Sequence, residues 1–268
     1  MVPTLRGKAR HMRIGEIGRE VSVFYYVLKY VLLGPLLRLL FRARAEGLEH
    51  LPVKGAAIVA GNHLSFADPL LMAAVLKRRI TFLAKAEYFR ARGLMGRLIA
   101  LVLRGAGQIS VDRSGRAAAQ AAIREGLGVL MKGDLLAIYP EGTRSPDGRL
   151  YKGKVGVALI ALDVHVPVIP CAMVGTFQIW PPGRVLPRRR PIVIRFGEPL
   201  DFSRYAGMVH QKAVLRAVTD EITYAILRLS GQEYVDQYAA DVKARQTQGR
   251  RRRSPAPSPR SGPNGRPL

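Results

Sequence analysis

The chain has 268 residues, of which 48% are hydrophobic, so it can bury a core of one large α/β domain or two small ones. Its 43 basic and 19 acidic residues give a net charge of +24, which favours nucleic acid, an anionic membrane surface or phosphorylated ligands as partners. A single cysteine, Cys171, excludes an intrachain disulfide and a cysteine-based metal cluster and fits a reducing cytosolic compartment. We expect Cys171 to be a buried strand residue, because it lies in an apolar run.

The first predicted element is an apolar segment at residues 21–41, which follows a basic, polar stretch at 1–20. Lys29 and Arg38 interrupt it, and Gly34-Pro35 should break or kink a helix there. We therefore predict two short amphipathic helices that lie in the membrane interface, with their basic residues reaching the headgroups. The alternative is a pair of ordinary core-packing helices. On the membrane interpretation, residues 1–43 form a membrane-associating segment.

Beyond residue 43 the pattern alternates between apolar strands and helices. Such alternation predicts an α/β fold with a mostly parallel or mixed central sheet flanked by helices, over residues 44–243. The predicted strands lie at 56–60, 80–84, 108–111, 135–139, 168–174 and 192–196, and the predicted helices lie at 69–76, 94–103, 117–131, 156–163 and 210–229, with a shorter one up to 243. Residues 244–268 are rich in Pro, Ser, Gly and Arg and predict a basic, disordered tail.

A histidine and an aspartate flank the start of the first of these helices. Five positions along a regular helix turn the chain by about 500°, which would point His63 and Asp68 apart. The two side chains can meet only if His63 precedes the helix and Asp68 lies in its first turn, as Pro69 suggests. Asp68 would then accept the Nδ1–H of His63 and leave Nε2 to act as a general base. Alternatively, Asp68 caps the helix with Ser65, and His63 is structural.

A second polar segment follows the strand at 135–139 and reads Tyr-Pro-Glu-Gly-Thr-Arg-Ser over 139–145. Gly142 permits a tight turn, and the Arg144 guanidinium can bind a phosphate. Glu141 could hold Arg144 or bind a substrate hydroxyl. The alternative is a surface turn with a salt bridge.

Two more segments complete the pattern. Residues 107–113, Gly-Gln-Ile-Ser-Val-Asp-Arg, form a strand that ends in a charged pair. Residues 166–170, Val-Pro-Val-Ile-Pro, form a proline-bounded strand without a reactive group, which can only shape a wall.

These four motifs, in this order and at these separations, resemble the bacterial 1-acyl-sn-glycerol-3-phosphate acyltransferases, also called lysophosphatidate acyltransferases. The resemblance runs from about Ala45 to Phe202. The sequence departs from the family pattern at Tyr139, where phenylalanine is common, and at Ser110, where an aromatic or apolar residue is common.

The resemblance implies an enzyme that moves a fatty acyl group from a thioester donor, acyl-CoA or acyl carrier protein, to a glycerol hydroxyl of lysophosphatidate, which makes phosphatidate. His63 would be the general base and Asp68 would orient it. No cofactor or metal is implied, and no acyl-enzyme is needed because the substrate hydroxyl is the nucleophile. Backbone N–H groups near the His63 turn are candidate donors to the oxyanion.

The resemblance also implies a binding site for the acceptor. Arg144, with Glu141, Gly142 and Thr143, would position its phosphate. Arg113 and Lys85 match further basic residues that the family uses for the acceptor.

The basic excess suits a lipid substrate. Arginine clusters at 188–190 and 250–253 could attract anionic lipids, although a solubilising role is the alternative. We therefore expect the protein at the cytoplasmic face of the cell membrane, as a peripheral or monotopic enzyme.

Three alternatives remain open from the sequence. The acceptor could be another lysophospholipid or a glycolipid. A nucleic-acid-binding protein would explain the charge, but the chain has no recognised nucleic-acid module. A serine hydrolase would need a nucleophile, but the chain has no Gly-x-Ser-x-Gly motif, and Ser65 lies too close to His63 in sequence.

Overall fold

A computed structural model describes residues 26–90, 93–105, 108–111, 115–181 and 187–253. Its centre is a seven-stranded sheet with the order β1-β8-β7-β2-β5-β3-β4, and a two-stranded ribbon pairs β6 with β9. The strands are β1 Arg44–Glu46, β2 Ala57–Gly61, β3 Ile80–Lys85, β4 Ile109–Val111, β5 Leu135–Ile138, β6 Leu150–Tyr151, β7 Val168–Val174, β8 Val193–Phe196 and β9 Tyr234–Val235. All six predicted strands are confirmed to within one residue at either end.

Helices cover the sheet. They are α1 Gly34–Phe41, α2 Asp68–Val75, α3 Ala86–Arg90, α4 Gly93–Gly105, α5 Gly115–Leu130, α6 Gly156–Val164, α7 Thr176–Ile179, α8 Lys212–Ser230 and α9 Ala239–Arg253. A π-helix, Leu28–Leu33, precedes α1, and short 3-10 turns lie at Leu48–His50 and Ser203–Tyr205. Each of the five longer predicted helices is present.

The central strands run parallel. β2 pairs in parallel with β5 and β7, β3 pairs in parallel with β5 and β4, and only the β7–β8 pair within this central group is antiparallel. The carboxyl ends of β2, β5, β3 and β4 therefore meet at one edge of the sheet, which is where α/β proteins bind ligands.

Strand β2 separates two cores, because alternate side chains point to opposite faces of a sheet. Ala57 and Val59 belong to a core that includes Leu71 and Met72 of α2. Ile58 and Ala60 belong to a second core, which α5, α6 and α8 cover. The mixed sheet with helices on both faces confirms the predicted fold class.

The helical run at the N-terminal end differs from the prediction. The π-helix Leu28–Leu33 passes directly into α1, and Gly34 itself has helical dihedral angles. Pro35 is the second residue of α1, directly after this junction. A Cβ atom on Gly34 would lie 1.9 Å from the Lys29 carbonyl oxygen, so this position requires glycine. Two helical elements thus meet at Gly34, where the sequence predicts a break or kink, but the chain stays helical across the junction.

Lys29 does not reach outward as predicted. Its side chain is buried, and its ammonium donates hydrogen bonds to the carbonyl oxygens of Leu76 and Lys77, just beyond the C-terminus of α2. Carbonyls at a helix end lack partners within the helix, and a cation there also stabilises the helix dipole. The physical reason for the difference is that α2 offers Lys29 these acceptors inside the fold.

The outer face of the N-terminal helical run remains apolar. Val31 is 67% exposed and Leu39 is 80% exposed, whereas Leu37 and Phe41 point into the core. No helix in the described residues has both the length and the apolar character that crossing a bilayer requires.

The last helix extends past the predicted boundary at 243. Helix α9 continues to Arg253, so residues 244–253, which the prediction assigned to a disordered tail, are helical. Its Ala, Lys, Gln and Arg residues are strong helix formers, which explains the extension. Residues 254–268 lie outside the described residues, as do residues 1–25.

Candidate active site

His63 and Asp68 meet at the carboxyl end of β2. His63 precedes α2, Asp68 is the first residue of that helix, and the Nδ1 atom of His63 lies 2.9 Å from Oδ2 of Asp68. This is the geometry that the five-residue spacing requires. An ionised carboxylate only accepts hydrogen bonds, so Nδ1 carries the proton and Nε2 is the basic nitrogen. The His63 side chain is 14% exposed, and that of Asp68 is fully buried.

The same oxygen of Asp68 also closes the turn between β2 and α2. Oδ2 accepts the backbone N–H groups of Leu64 and Ser65, each at 2.7 Å. Orientation of the histidine and capping of the helix were alternatives from the sequence, but Asp68 does both. Since the N–H of His63 donates to Glu141, the N–H groups of residues 63–65 are all occupied within the protein. These three N–H groups, which are among the candidate oxyanion donors near the His63 turn, therefore bind the side chains of Asp68 and Glu141.

Tyr139 packs against one face of the His63 imidazole. Its ring stacks on that of His63 with the centroids 4.1 Å apart and an angle of 11° between the planes. The Tyr139 hydroxyl is buried and has no hydrogen-bond partner among the residues that the structure describes. Burial, with a smaller effect from Asp68, raises the pKa of Tyr139 well above its ordinary value. The tyrosine therefore stays neutral and acts on His63 as a flat packing surface.

Glu141 fastens the His63 loop to its neighbours. One carboxylate oxygen accepts the His63 N–H at 3.0 Å, and the other accepts the Tyr151 N–H at 3.1 Å. The N–H of Ser145 donates to the His63 carbonyl at 2.7 Å, so the backbone of His63 is held on both sides. The Glu141 side chain is buried. The sequence allows Glu141 to hold Arg144 or a substrate hydroxyl, whereas in the structure each of its oxygens accepts a backbone N–H.

Glu141 should make the stability of the protein depend on pH. Burial raises the pKa of Glu141 from its ordinary 4.5 to about 8, against the opposite effect of the two N–H donors. The folded protein then binds this proton more tightly than the unfolded chain, so the free energy of unfolding falls as the pH rises from about 4.5 to about 8. Between about pH 5 and pH 8 the wild type should lose up to about 4 kcal/mol relative to Glu141→Gln, which cannot titrate. Urea unfolding of both proteins across this range measures the difference, and a difference independent of pH would contradict the assignment.

A group of cations lies beside this loop. Gly142 has a φ of +72°, and its N–H donates to the Tyr139 carbonyl at 2.9 Å, which confirms the tight turn. A Cβ atom on Gly142 would lie 3.3 Å from the side chain of Lys154, so this lysine passes directly over the turn. Within the described part of the chain, the Arg144 guanidinium forms no salt bridge with a carboxylate. It is therefore available to an anionic ligand.

Lys243 reaches the same loop from helix α9. Its ammonium donates to Oγ1 of Thr143 at 3.0 Å and to the carbonyl oxygen of Arg144. Sequence reasoning missed both Lys154 and Lys243. Neither belongs to a motif, and Lys243 lies 100 residues from Thr143, so only their basic character marked them.

Of the two remaining predicted site residues, the structure describes Lys85 but not Arg113. Lys85 is the last residue of β3, next to β5, so its backbone lies at the same edge of the sheet as the loop with Arg144. Arg113 follows β4 and lies outside the described residues. Within the described ranges, no group of three or more His, Cys, Asp or Glu side chains is placed to hold a metal ion.

Ser65 is a structural residue. Its hydroxyl donates to the Trp180 carbonyl at 2.9 Å and accepts the N–H of Ala67, and its side chain is fully buried. A hydroxyl in this position cannot attack a substrate, which removes the candidate nucleophile of the serine hydrolase alternative. Cys171 is buried in β7, as predicted, and burial raises the pKa of its thiol, so it is inert as well.

Comparisons with known proteins agree on one family. The acyltransferase family model matches residues 42–174. A 1-acyl-sn-glycerol-3-phosphate acyltransferase of Limnanthes douglasii is 34% identical over 176 residues, which cover 62% of this chain and 60% of the relative. A probable 1-acyl-sn-glycerol-3-phosphate acyltransferase of Mycoplasma pneumoniae is 26% identical over 172 residues, which cover 62% of this chain and 57% of the relative. The chain thus spans less than two thirds of the length of these curated relatives.

A solved structure extends the similarity to the whole fold. The crystal structure of the 1-acyl-sn-glycerophosphate acyltransferase PlsC from Thermotoga maritima matches with a TM-score of 0.60 and 26% identity. The match covers 82% of this chain and 84% of that one.

Proposed function

Because the chain belongs to the acyltransferase family, as its four motifs predict, we propose that it transfers a fatty acyl group from a thioester donor to the glycerol hydroxyl of lysophosphatidate, which makes phosphatidate. The observation that carries this proposal is the hydrogen bond between His63 and Asp68 beside Arg144, at the edge where parallel strands end. The site therefore combines a general base, His63, with a cation, Arg144, that can bind a phosphate.

In the proposed reaction, Nε2 of His63 removes the proton from the acceptor hydroxyl as its oxygen attacks the thioester carbonyl. A carbon–oxygen bond forms, and the tetrahedral intermediate then collapses with loss of the donor's thiolate. The proton on Nε2 passes to that sulfur, so His63 returns to its starting state. Asp68 holds the imidazole in the required tautomer and stabilises its charged form.

The acceptor phosphate would bind at the loop that follows β5. Arg144 can donate two parallel hydrogen bonds to phosphate oxygens. Lys85 is the last residue of β3, and Arg113 follows β4 in the sequence; both strands belong to the same sheet. Gly142 and Thr143 shape the turn, whereas we assign Glu141 to positioning of His63 and not to direct contact with the acceptor.

We further propose that the enzyme works on a membrane surface at its cytoplasmic side, with residues 44–243 as the acyltransferase domain. The exposed apolar residues of the N-terminal helical run can enter the headgroup region, and residues 1–43 would then form the membrane-associating segment. Exposed arginines at 188–190 and the net charge of +24 favour anionic lipids by about 1 kcal/mol for each well-placed residue.

The test is an acyl-transfer assay with the purified protein in vesicles. The donors are acyl-CoA and acyl carrier protein carrying the same chain, and the acceptors are lysophosphatidate, lysophosphatidylcholine, lysophosphatidylglycerol and a lyso-glycolipid. We expect the highest kcat/KM for lysophosphatidate with at least one donor, because this acceptor alone presents a phosphate monoester. Equal or better turnover of a neutral glycolipid would contradict the proposal.

A further inference from the structure

The C-terminal helix brings a lysine to the loop that carries Arg144. We propose that Lys243 is a ligand of the acceptor phosphate and makes the site selective for a phosphate monoester over a phosphodiester. The inference rests on the proposed function and adds a residue that lies outside the family match at 42–174.

Lys243 is held against the loop that carries Arg144. Lys243 is half-buried, and its ammonium contacts both Thr143 and the carbonyl of Arg144, so it cannot extend freely into solvent. An ammonium has three donors, and these two contacts leave one of them for a ligand. The charge of the Arg144 guanidinium acts on the Lys243 ammonium, so one phosphate can contact both cations.

Three cations lie close together at this loop. Arg144 and Lys243 repel each other, and Lys154 adds a third cation over the adjacent Gly142. Burial, followed by the charge of Arg144, lowers the pKa of Lys243, while Glu141 acts in the opposite direction. Because burial raises the pKa of Glu141 to about 8, this side chain is largely protonated at neutral pH and neutralises little of the cluster's charge. A bound anion would relieve the repulsion.

A phosphate monoester and a phosphodiester differ in charge. A phosphate monoester carries about −1.5 to −2 charges at pH 7, whereas a phosphodiester carries one. Arg144 alone can neutralise a diester, but a monoester offers more charge and a third free oxygen for a second cation. Lys243 therefore gives lysophosphatidate an advantage over lysophospholipids that carry a headgroup.

The experiment compares Lys243→Ala, Lys243→Gln and Lys243→Arg with the wild type. Lys243→Gln keeps a neutral donor for Thr143 and the Arg144 carbonyl but removes the charge. Arg245→Ala is the matched control, since it removes one positive charge from an exposed position on the same helix. Arg144→Ala is the reference for loss of phosphate binding.

For lysophosphatidate, we expect Lys243→Ala and Lys243→Gln to raise KM about tenfold or more. We expect kcat and the donor's KM to stay within about threefold of the wild type, and Lys243→Arg to restore most of the acceptor affinity. The preference for lysophosphatidate over lysophosphatidylglycerol should shrink by a similar factor. Arg245→Ala should match the wild type in all of these.

Three results would overturn the inference. A wild-type KM in Lys243→Gln would mean that Lys243 only fastens the loop. A parallel rise in the KM of donor and acceptor would mean that the helix has lost its packing. The same rise in Arg245→Ala would mean that only net charge matters.

A binding measurement separates this inference from the proposed function. Glycerol 3-phosphate should raise the melting temperature of the wild type and Arg245→Ala but not that of Lys243→Ala or Lys243→Gln. If that pattern appears in a protein that acylates no lysolipid, the phosphate site stands and the proposed function fails. If glycerol 3-phosphate stabilises all of these proteins equally, or none of them, the inference on Lys243 fails whatever the enzyme acylates.

Discussion

Replacing His63 with alanine is expected to lower kcat for acyl transfer by about 10²–10⁴-fold while the protein keeps its fold. The imidazole is the group placed to take the proton of the acceptor hydroxyl, and without it that proton must pass to water. Folding should survive because the anchors of this loop are backbone groups. The N–H of His63 still donates to Glu141, and its carbonyl still accepts from Ser145 in the variant.

The measurement is single-turnover acyl transfer to lysophosphatidate under saturating donor, together with urea unfolding. His210→Ala serves as the matched control, because His210 is an exposed histidine outside the four motifs. A kcat within about tenfold of the wild type in His63→Ala would rule out its role as general base. A loss of activity accompanied by unfolding would point to a structural histidine.

Replacing Asp68 with asparagine is expected to lower both activity and stability, unlike the change at His63. We expect kcat to fall by about 10²–10⁴-fold, because an amide cannot stabilise the charged imidazole and can hold it in the wrong tautomer. The free energy of unfolding should fall by about 2–4 kcal/mol. In the wild type one buried carboxylate oxygen accepts three hydrogen bonds, and the neutral amide oxygen of asparagine would accept them more weakly.

Acyl transfer and urea unfolding of the same preparation test this prediction. Asp163→Asn makes the same chemical change at an exposed site on α6 and should leave both quantities near their wild-type values. The double variant at His63 and Asp68 should be hardly less active than either single variant, because the two residues act as one unit. Activity losses that simply multiply would contradict a shared role.

The local sequence pattern predicts much of the fold and the approach of His63 to Asp68. Each central strand is a short apolar run that ends at glycine or a polar residue, and such a run has few other ways to be buried. The approach of His63 to Asp68 also followed from local geometry, because only a helix that begins at Asp68 allows it.

The errors arose where a side chain finds its partner across the fold. Lys29 was expected at the membrane, but its acceptors are carbonyls almost fifty residues away. Lys243 was assigned to the end of the domain with no role, and its contact with Thr143 depends on how α9 folds back. The N–H groups after His63 were candidates for the oxyanion, but the sequence does not reveal that two buried carboxylates already hold them.

Lys29 contacts the end of α2, so part of the support for this helix comes from residues before the family match. The family match starts at residue 42, but Lys29, which precedes it, donates hydrogen bonds to carbonyls at the C-terminal end of α2, the helix that begins at Asp68. Phe41 and Leu37 also fill the core beneath it. A shortened chain that starts at residue 42 would keep all four motifs but would lack Lys29, Leu37 and Phe41, which support the helix that begins at Asp68. The boundary that sequence similarity draws here is therefore not a boundary of folding.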